Sequence, residues 1–154
     1  TTPEKKIKLL ELLDDVKDPV RKMDLLITAK NFVCPSLFMA DELGKKGGKT
    51  WVYQFNRVRD NELANKYGAF HGAELPYVFD THDEWLPTNE IDKELTREIQ
   101  SYWLSFARTG NPNNDDAVQW PEYDSSDDST LVLDDEIYQR SHESSEICKI
   151  MELF

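Results

Sequence analysis

As far as Gly44 the apolar residues recur at helical rather than strand spacing. Thr2-Pro3-Glu4 sets a capping hydroxyl, a proline and an acid where a helix begins, and Ile7, Leu9, Leu10 and Leu13 then provide an apolar face. Asp18-Pro19 restarts a second helix, with Met23, Leu26 and Ile27 at helical spacing. Pro35 is expected to break or bend the chain. Beyond it, Leu37, Phe38, Ala40 and Leu43 predict a further helix ending at Gly44.

The pattern then changes period. Lys45-Lys46-Gly47-Gly48 reads as a turn, and Thr50-Trp51-Val52-Tyr53-Gln54-Phe55, aromatic and β-branched, predicts a strand. Val58 to Lys66 is charged and predicts a loop, while Leu75–Phe79 is either a helical turn or a brief extended piece. The strongest helix opens at Pro87-Thr88-Asn89. Ile91, Leu95, Ile99, Tyr102, Trp103 and Phe106 form its wide apolar stripe, with Arg108 in the last turn, Gly110 as the stop and Pro112 beyond. Trp120-Pro121-Glu122-Tyr123 reads as an aromatic turn and Thr130-Leu131-Val132-Leu133 as a second short strand. Ile147, Ile150, Met151 and Phe154 mark a final amphipathic helix.

Four or five helices with two strands cannot make a doubly wound parallel sheet, which needs several strands joined by crossovers. A strand as apolar as Trp51–Phe55 has two hydrophobic faces to cover. The expected fold class is therefore α/β, with these strands at the edge of a larger sheet. Residues 1–154 are expected to be one segment of a single domain.

Composition narrows the functional classes. The chain has 154 residues, 30 acidic against 18 basic, and a formal net charge of -12. That balance repels nucleic acid and anionic membranes, and the basic residues are dispersed, so no nucleic-acid partner is expected. No apolar run approaches the roughly 18–20 residues of a membrane span, so no span is expected. The two cysteines, Cys34 and Cys148, lie outside any metal or redox spacing. Composition leaves them open as a disulfide or as two buried thiols. The acidic run Asp124 to Asp128 lacks the glycine and spaced oxygens of a calcium loop and reads as a solvated turn.

Histidine is the side chain best suited to move protons near neutrality. His82 and His142 sit in charged stretches and are expected to be exposed. His71, beside Gly72 in a loop after the best strand, is the candidate general base. Glu74 lies three positions on. A metal site on His71 and Glu74 would need further converging ligands, so neither a metal nor another cofactor is expected.

The segment Tyr67-Gly68-Ala69-Phe70-His71-Gly72-Ala73-Glu74-Leu75-Pro76-Tyr77-Val78-Phe79 resembles the histidine loop of the type-B carboxylesterase/cholinesterase family of α/β-hydrolases, with its pattern His-Gly-x-Glu-Leu-x-x-Val-Phe. The resemblance extends further. Asn31-Phe32-Val33-Cys34-Pro35, Gly47-Gly48-Lys49-Thr50-Trp51-Val52-Tyr53-Gln54-Phe55, Tyr102-Trp103-Leu104-Ser105-Phe106-Ala107-Arg108-Thr109-Gly110-Asn111-Pro112 and Trp120-Pro121-x-Tyr123 follow in the family's order.

The resemblance implies a serine esterase in which His71 belongs to a Ser–Glu/Asp–His triad, with Gly72 and Glu74 supporting it. The triad acid would be a separate residue earlier in the chain. None of the nine serines stands in a Gly-x-Ser-x-Gly elbow. Since the triad runs Ser, acid, His in this fold, the serine and the acid are expected upstream of Thr1. The chain is thus read as the C-terminal part of an α/β-hydrolase, inactive alone. Its partners would be the upstream portion and a small ester. The cholinesterase branch implies a Cys34–Cys148 disulfide, and through it an extracellular setting. Two other readings stand beside this one: a cholinesterase-like adhesion or binding protein that has lost the triad, and a Cys–His hydrolase built on Cys34 and His71.

Overall fold

The computed structural model describes residues 2–82, 84, 87–115, 117–141 and 145–151. In chain order its elements are α1 (Pro3–Leu12), α2 (Pro19–Thr28), a π-helical turn (Ala29–Val33), α3 (Cys34–Gly44) and β1 (Tyr53–Phe55). There follow α4 (Glu62–Tyr67), α5 (Leu75–Phe79), α6 (Glu90–Thr109), β2 (Thr130–Leu133), β3 (Tyr138–Arg140) and α7 (Ser145–Met151). They fall into two compact units. One holds Thr1–Val52, Glu122–Ser129 and Arg140–Phe154; the other holds Tyr53–Pro121 and Thr130–Gln139.

In the first unit the helix starts are where the caps place them. The Thr2 hydroxyl accepts from the Lys5 amide and the Asp18 carboxylate from the Val20 amide, and each helix takes its proline in the first turn. Pro35 does not break the chain. The π-helical turn carries α2 into α3, so that Pro35 occupies the first turn of α3, where the wider turn absorbs the missing amide bond. Ala29, Cys34, Leu37, Ala40, Tyr123 and Cys148 form the buried core, with Val33, Val52, Ile147 and Met151 packed around it. The Tyr123 amide donates to the Thr50 carbonyl at 2.8 Å, and its phenol hydrogen-bonds Asp128. Burial first, and then the Asp128 charge, push the Tyr123 phenol far above its ordinary pKa.

By length and composition the continuous helical stretch Pro19–Gly44 is apolar enough to cross a membrane, which amends the expectation of no such run. Within it, however, Cys34, Leu37 and Ala40 are buried against Tyr123 and Cys148. Charged Arg21, Lys22 and Asp24 lie near its start.

Cys34 and Cys148 are joined in a disulfide, with Cα atoms 5.5 Å apart and 114 positions between them in sequence. Closing a loop of that length removes about 4–5 kcal/mol of unfolded-chain entropy. Replacing both cysteines by alanine in the complete protein should therefore lower its unfolding free energy by about 2–5 kcal/mol. Urea midpoints of the two forms measure this, and coincident midpoints would contradict it.

The second unit is built on a three-stranded sheet in the order β1-β2-β3. β1 runs parallel to β2, pairing Tyr53 with Leu131, Gln54 with Val132 and Phe55 with Leu133. All four residues of β2 are buried. Parallel neighbours so far apart in sequence require a crossover, and α4, α5 and α6 lie within it. Only Tyr53–Phe55 of the expected strand pair in the sheet, against Leu131–Leu133 of β2. β3 was not anticipated; its Tyr-Gln-Arg sequence lies largely exposed and carries no apolar alternation.

α6 begins one residue after Asn89, whose side chain accepts from the Asp92 amide while the Asp92 carboxylate accepts from the Asn89 amide. This reciprocal box fixes the start, and Gly110, at φ 75°, ends the helix. Leu95, Ile99 and Tyr102 are buried within this chain itself, and Asp92 and Thr96 with them, whereas Ile91 is 40% and Phe106 50% exposed. Trp120 packs edge-on against Tyr53 and Tyr102 and tilted against Trp103. The Val58–Lys66 stretch is not wholly loop: Asn61 caps the short helix α4. Leu75–Phe79 takes the helical alternative. Phe154, expected on the last helix, lies outside the described residues.

Candidate active site

His71 opens the four-residue turn that joins α4 to α5, and its side chain is exposed. Two glycines shape the approach. Gly68 leaves α4 at φ 64°, ψ -158°, a conformation essentially confined to glycine. The Ala73 amide then donates to the Phe70 carbonyl at 2.9 Å, closing a β-turn with His71 and Gly72 at its centre. Gly72 has φ 87°, and a Cβ there would meet only Leu75 Cδ1, at 3.7 Å. Glycine is thus required by the dihedral rather than by space, as at the third position of a type II turn. The Leu75 amide donates to Gly72, and the Glu74 carbonyl accepts from both Tyr77 and Val78. The histidine turn is therefore hydrogen-bonded directly onto the first turn of α5. Glu74 is half-buried, and its charge, after burial, is the second influence that raises the Tyr53 phenol pKa.

Beneath α5 lies a buried ionic cluster. Asp92 Oδ1 accepts from Arg57 Nε at 2.9 Å and from the Tyr77 hydroxyl at 2.7 Å, while Oδ2 caps the α6 backbone at Asn89. One carboxylate thus serves a helix cap, an ion pair and a phenol at once. Arg57 also reaches Asp135 at 2.7 Å and Asp60 at 2.9 Å. Burial opposes the charge on Arg57, but the hydrogen bonds to Asp92 and Asp60 outweigh it and raise its pKa. Burial likewise works against ionised Asp92, and the hydrogen bonds from Arg57, the Asn89 amide and Tyr77 still hold its pKa below the usual value. The Tyr77 phenol is pushed up to about 12, by burial first and then by donating to the Asp92 carboxylate.

The same phenol oxygen accepts from Arg59 Nε at 3.2 Å. Arg59 Nη2 lies 2.8 Å from His82 Nδ1, and His82 Nε2 lies 2.8 Å from Thr96 Oγ1. A guanidinium only donates, so Nδ1 accepts and Nε2 carries the proton of a neutral ring. Thr96 in turn donates to the Asp92 carbonyl. The rings of Phe55 and His82 both lie 5.1 Å from that of Tyr77.

This placement corrects the expectation for His82, which is mostly buried and structural; His142 lies outside the described residues. His71, Gly72 and Glu74 belong to the second unit, Cys34 and Cys148 to the core of the first. With its sulfur in a disulfide, Cys34 has no thiol to act as a nucleophile, which removes the Cys–His reading. Sequence reasoning missed Arg57, Arg59, Tyr77 and Asp92 as a group. The one local signal was the spacing of Asn89 and Asp92, a capping box that hides the second use of the carboxylate.

The profile of the Carboxylesterase family matches residues 5–150. Para-nitrobenzyl esterase of Bacillus subtilis is 42% identical over 101 residues, 62% of this chain and 20% of the esterase. Acetylcholinesterase of Bungarus fasciatus is 32% identical over 120 residues, 72% of this chain and 19% of that enzyme. Among solved structures, a thermophilic pNB esterase superposes with a TM-score of 0.75 at 31% identity, covering 96% of this chain and 30% of its own. The chain therefore spans about a fifth of the curated relatives' length and has the fold of part of an α/β-hydrolase domain. On the span of that match and the agreement of fold, this chain belongs to the carboxylesterase family.

Proposed function

We propose that the chain supplies the histidine base of a serine carboxylesterase whose serine, acid and oxyanion hole lie upstream. The observation that carries this reading is the exposed imidazole of His71, held on a glycine-bent turn that is hydrogen-bonded into α5, in a member of the carboxylesterase family. The serine oxygen attacks the ester carbonyl as its proton passes to His71. Collapse of the tetrahedral intermediate expels the alcohol, which leaves with that proton, and water then repeats the sequence on the acyl-enzyme. The upstream carboxylate orients His71 and stabilises its cationic form; Glu74 supports the turn.

Apolar side chains left open support an upstream partner within the same domain. Val20, Met23 and Ile27 on α2 are exposed, as are Leu104 and Phe106 on α6. Each such side chain gains about 1.5–3 kcal/mol when covered, against a total domain stability of about 5–15 kcal/mol. The disulfide suits an oxidising, extracellular compartment.

The test compares the complete protein with residues 1–154 alone. The complete protein should hydrolyse p-nitrophenyl acetate and take up one equivalent of a fluorophosphonate on serine. The isolated segment should do neither and should lack a cooperative thermal transition. A complete protein inert to both reagents would point instead to a binding protein without a triad. A cooperatively folding segment would show that residues 1–154 are a domain in their own right.

A further inference from the structure

We infer that Tyr77 is a positioning residue for the esterase reaction: through its buried hydroxyl it fixes α5, and with it the turn that carries His71. The inference rests on His71 being the base. Tyr77 is 1% exposed. Its backbone amide is bonded at 2.9 Å to the carbonyl of Glu74, the last residue of the histidine turn. Its hydroxyl donates to Asp92 on α6 at 2.7 Å and accepts from Arg59 at 3.2 Å. The Arg59 guanidinium also lies 5.2 Å from the ring centroid. Asp92 is in turn held by Arg57, whose backbone amide, like that of Asn56, donates to the Leu133 carbonyl at the end of β2. A continuous chain of contacts thus runs from the end of β2, the central strand, to the His71 turn, and the phenol is its link between α6 and α5.

Packing alone needs only the ring of Tyr77, which phenylalanine would supply. The hydroxyl adds direction, because it must meet one acceptor and one donor fixed on separate elements. Displacement of a reacting group by about 1 Å can cost a hundredfold in rate, so a small tilt of α5 is enough to matter.

The experiment is a double-mutant cycle in the complete protein, using p-nitrophenyl acetate and the variants Tyr77→Phe, His71→Ala and the two combined. Tyr77→Phe should lower kcat by about ten- to a hundredfold with KM within about twofold. In the His71→Ala background the same change should leave the residual rate unaltered, because nothing remains to be positioned. A loss of thermal stability with kcat unchanged would make the hydroxyl purely structural and overturn the inference while leaving His71 as the base. Equal losses in both backgrounds would also overturn it, since Tyr77 would then act independently of His71. Full activity in His71→Ala would remove the base and the inference together. If Tyr77→Phe does not fold, Arg59→Lys, which loosens the hydroxyl's donor and keeps the charge, is read by the same cycle with the same outcomes.

Discussion

Replacing His71 by alanine in the complete protein is expected to lower kcat/KM for an activated ester by about 10⁴- to 10⁶-fold. On the proposed mechanism, without the imidazole the serine has no acceptor for its proton during attack, and the departing alcohol has no donor. What survives is the catalysis due to the oxyanion hole and substrate binding, about 10³–10⁴ over water in triad enzymes. The loss should fall on kcat, since the base acts on charge that develops in the transition state. It should not come from unfolding. The His71 side chain is exposed, and a substitution at such a position changes stability by about 0.5 kcal/mol or less. Steady-state kinetics beside a thermal melt separate the two effects. Near-normal turnover would exclude His71 as the base.

Removing the Asp92 carboxylate should have the largest effect on stability. Asp92 is completely buried and the Arg57 side chain 1% exposed, so Asp92→Ala strips a buried guanidinium of its innermost partner and frees the Tyr77 phenol and the α6 cap. Losing one member of a buried pair costs about 3–5 kcal/mol. Asp60 and Asp135 remain bonded to Arg57 but are 65% and 58% exposed, which holds the effect toward the lower end. The matched control is Asp135→Asn, an exposed partner, at about 1 kcal/mol or less.

The pH dependence has a definite sign. The folded-state pKa of Asp92 is depressed, despite burial, by hydrogen bonds from Arg57, Asn89 and Tyr77. Its contribution is thus complete above the unfolded carboxylate pKa of about 4 and is lost as pH falls through the lower folded value. Urea midpoints of Asp92→Ala and the parent should differ most at neutral pH and converge in acid. A gap of constant size down to pH of about 2 would assign the loss to packing instead.

Much of the local structure was legible because it rests on neighbours in sequence. Thr2-Pro3, Asp18-Pro19 and Gly110 each satisfy or release backbone groups within a turn of themselves, and each stands where its helix starts or stops. Thr130–Leu133 is a strand over the residues expected, and Cys34 and Cys148 are joined as the family resemblance implied. The histidine turn was equally readable, since Gly72 is demanded by a dihedral and not by a distant contact.

Other features depended on partners far along the chain. Pro35 continues a helix because the preceding π-helical turn makes room for its ring, and nothing in local propensity selects that turn. β1 is confined to Tyr53–Phe55, the residues that find partners on β2. The ionic cluster was invisible for the same reason. Arg57, Tyr77 and Asp92 are each unremarkable in sequence, and burial is tolerable for any of them only in the presence of the others. Thus the sequence by itself determined the caps, the periodicities and the family, which are matters of adjacent residues. Tertiary structure alone decided that His82 is a mostly buried strut, that Asp92 serves both α6 and Arg57, and that the His71 turn is tied to the end of β2 through Tyr77. Desolvating a charge forces such partnerships, and the partners stand up to 78 positions apart.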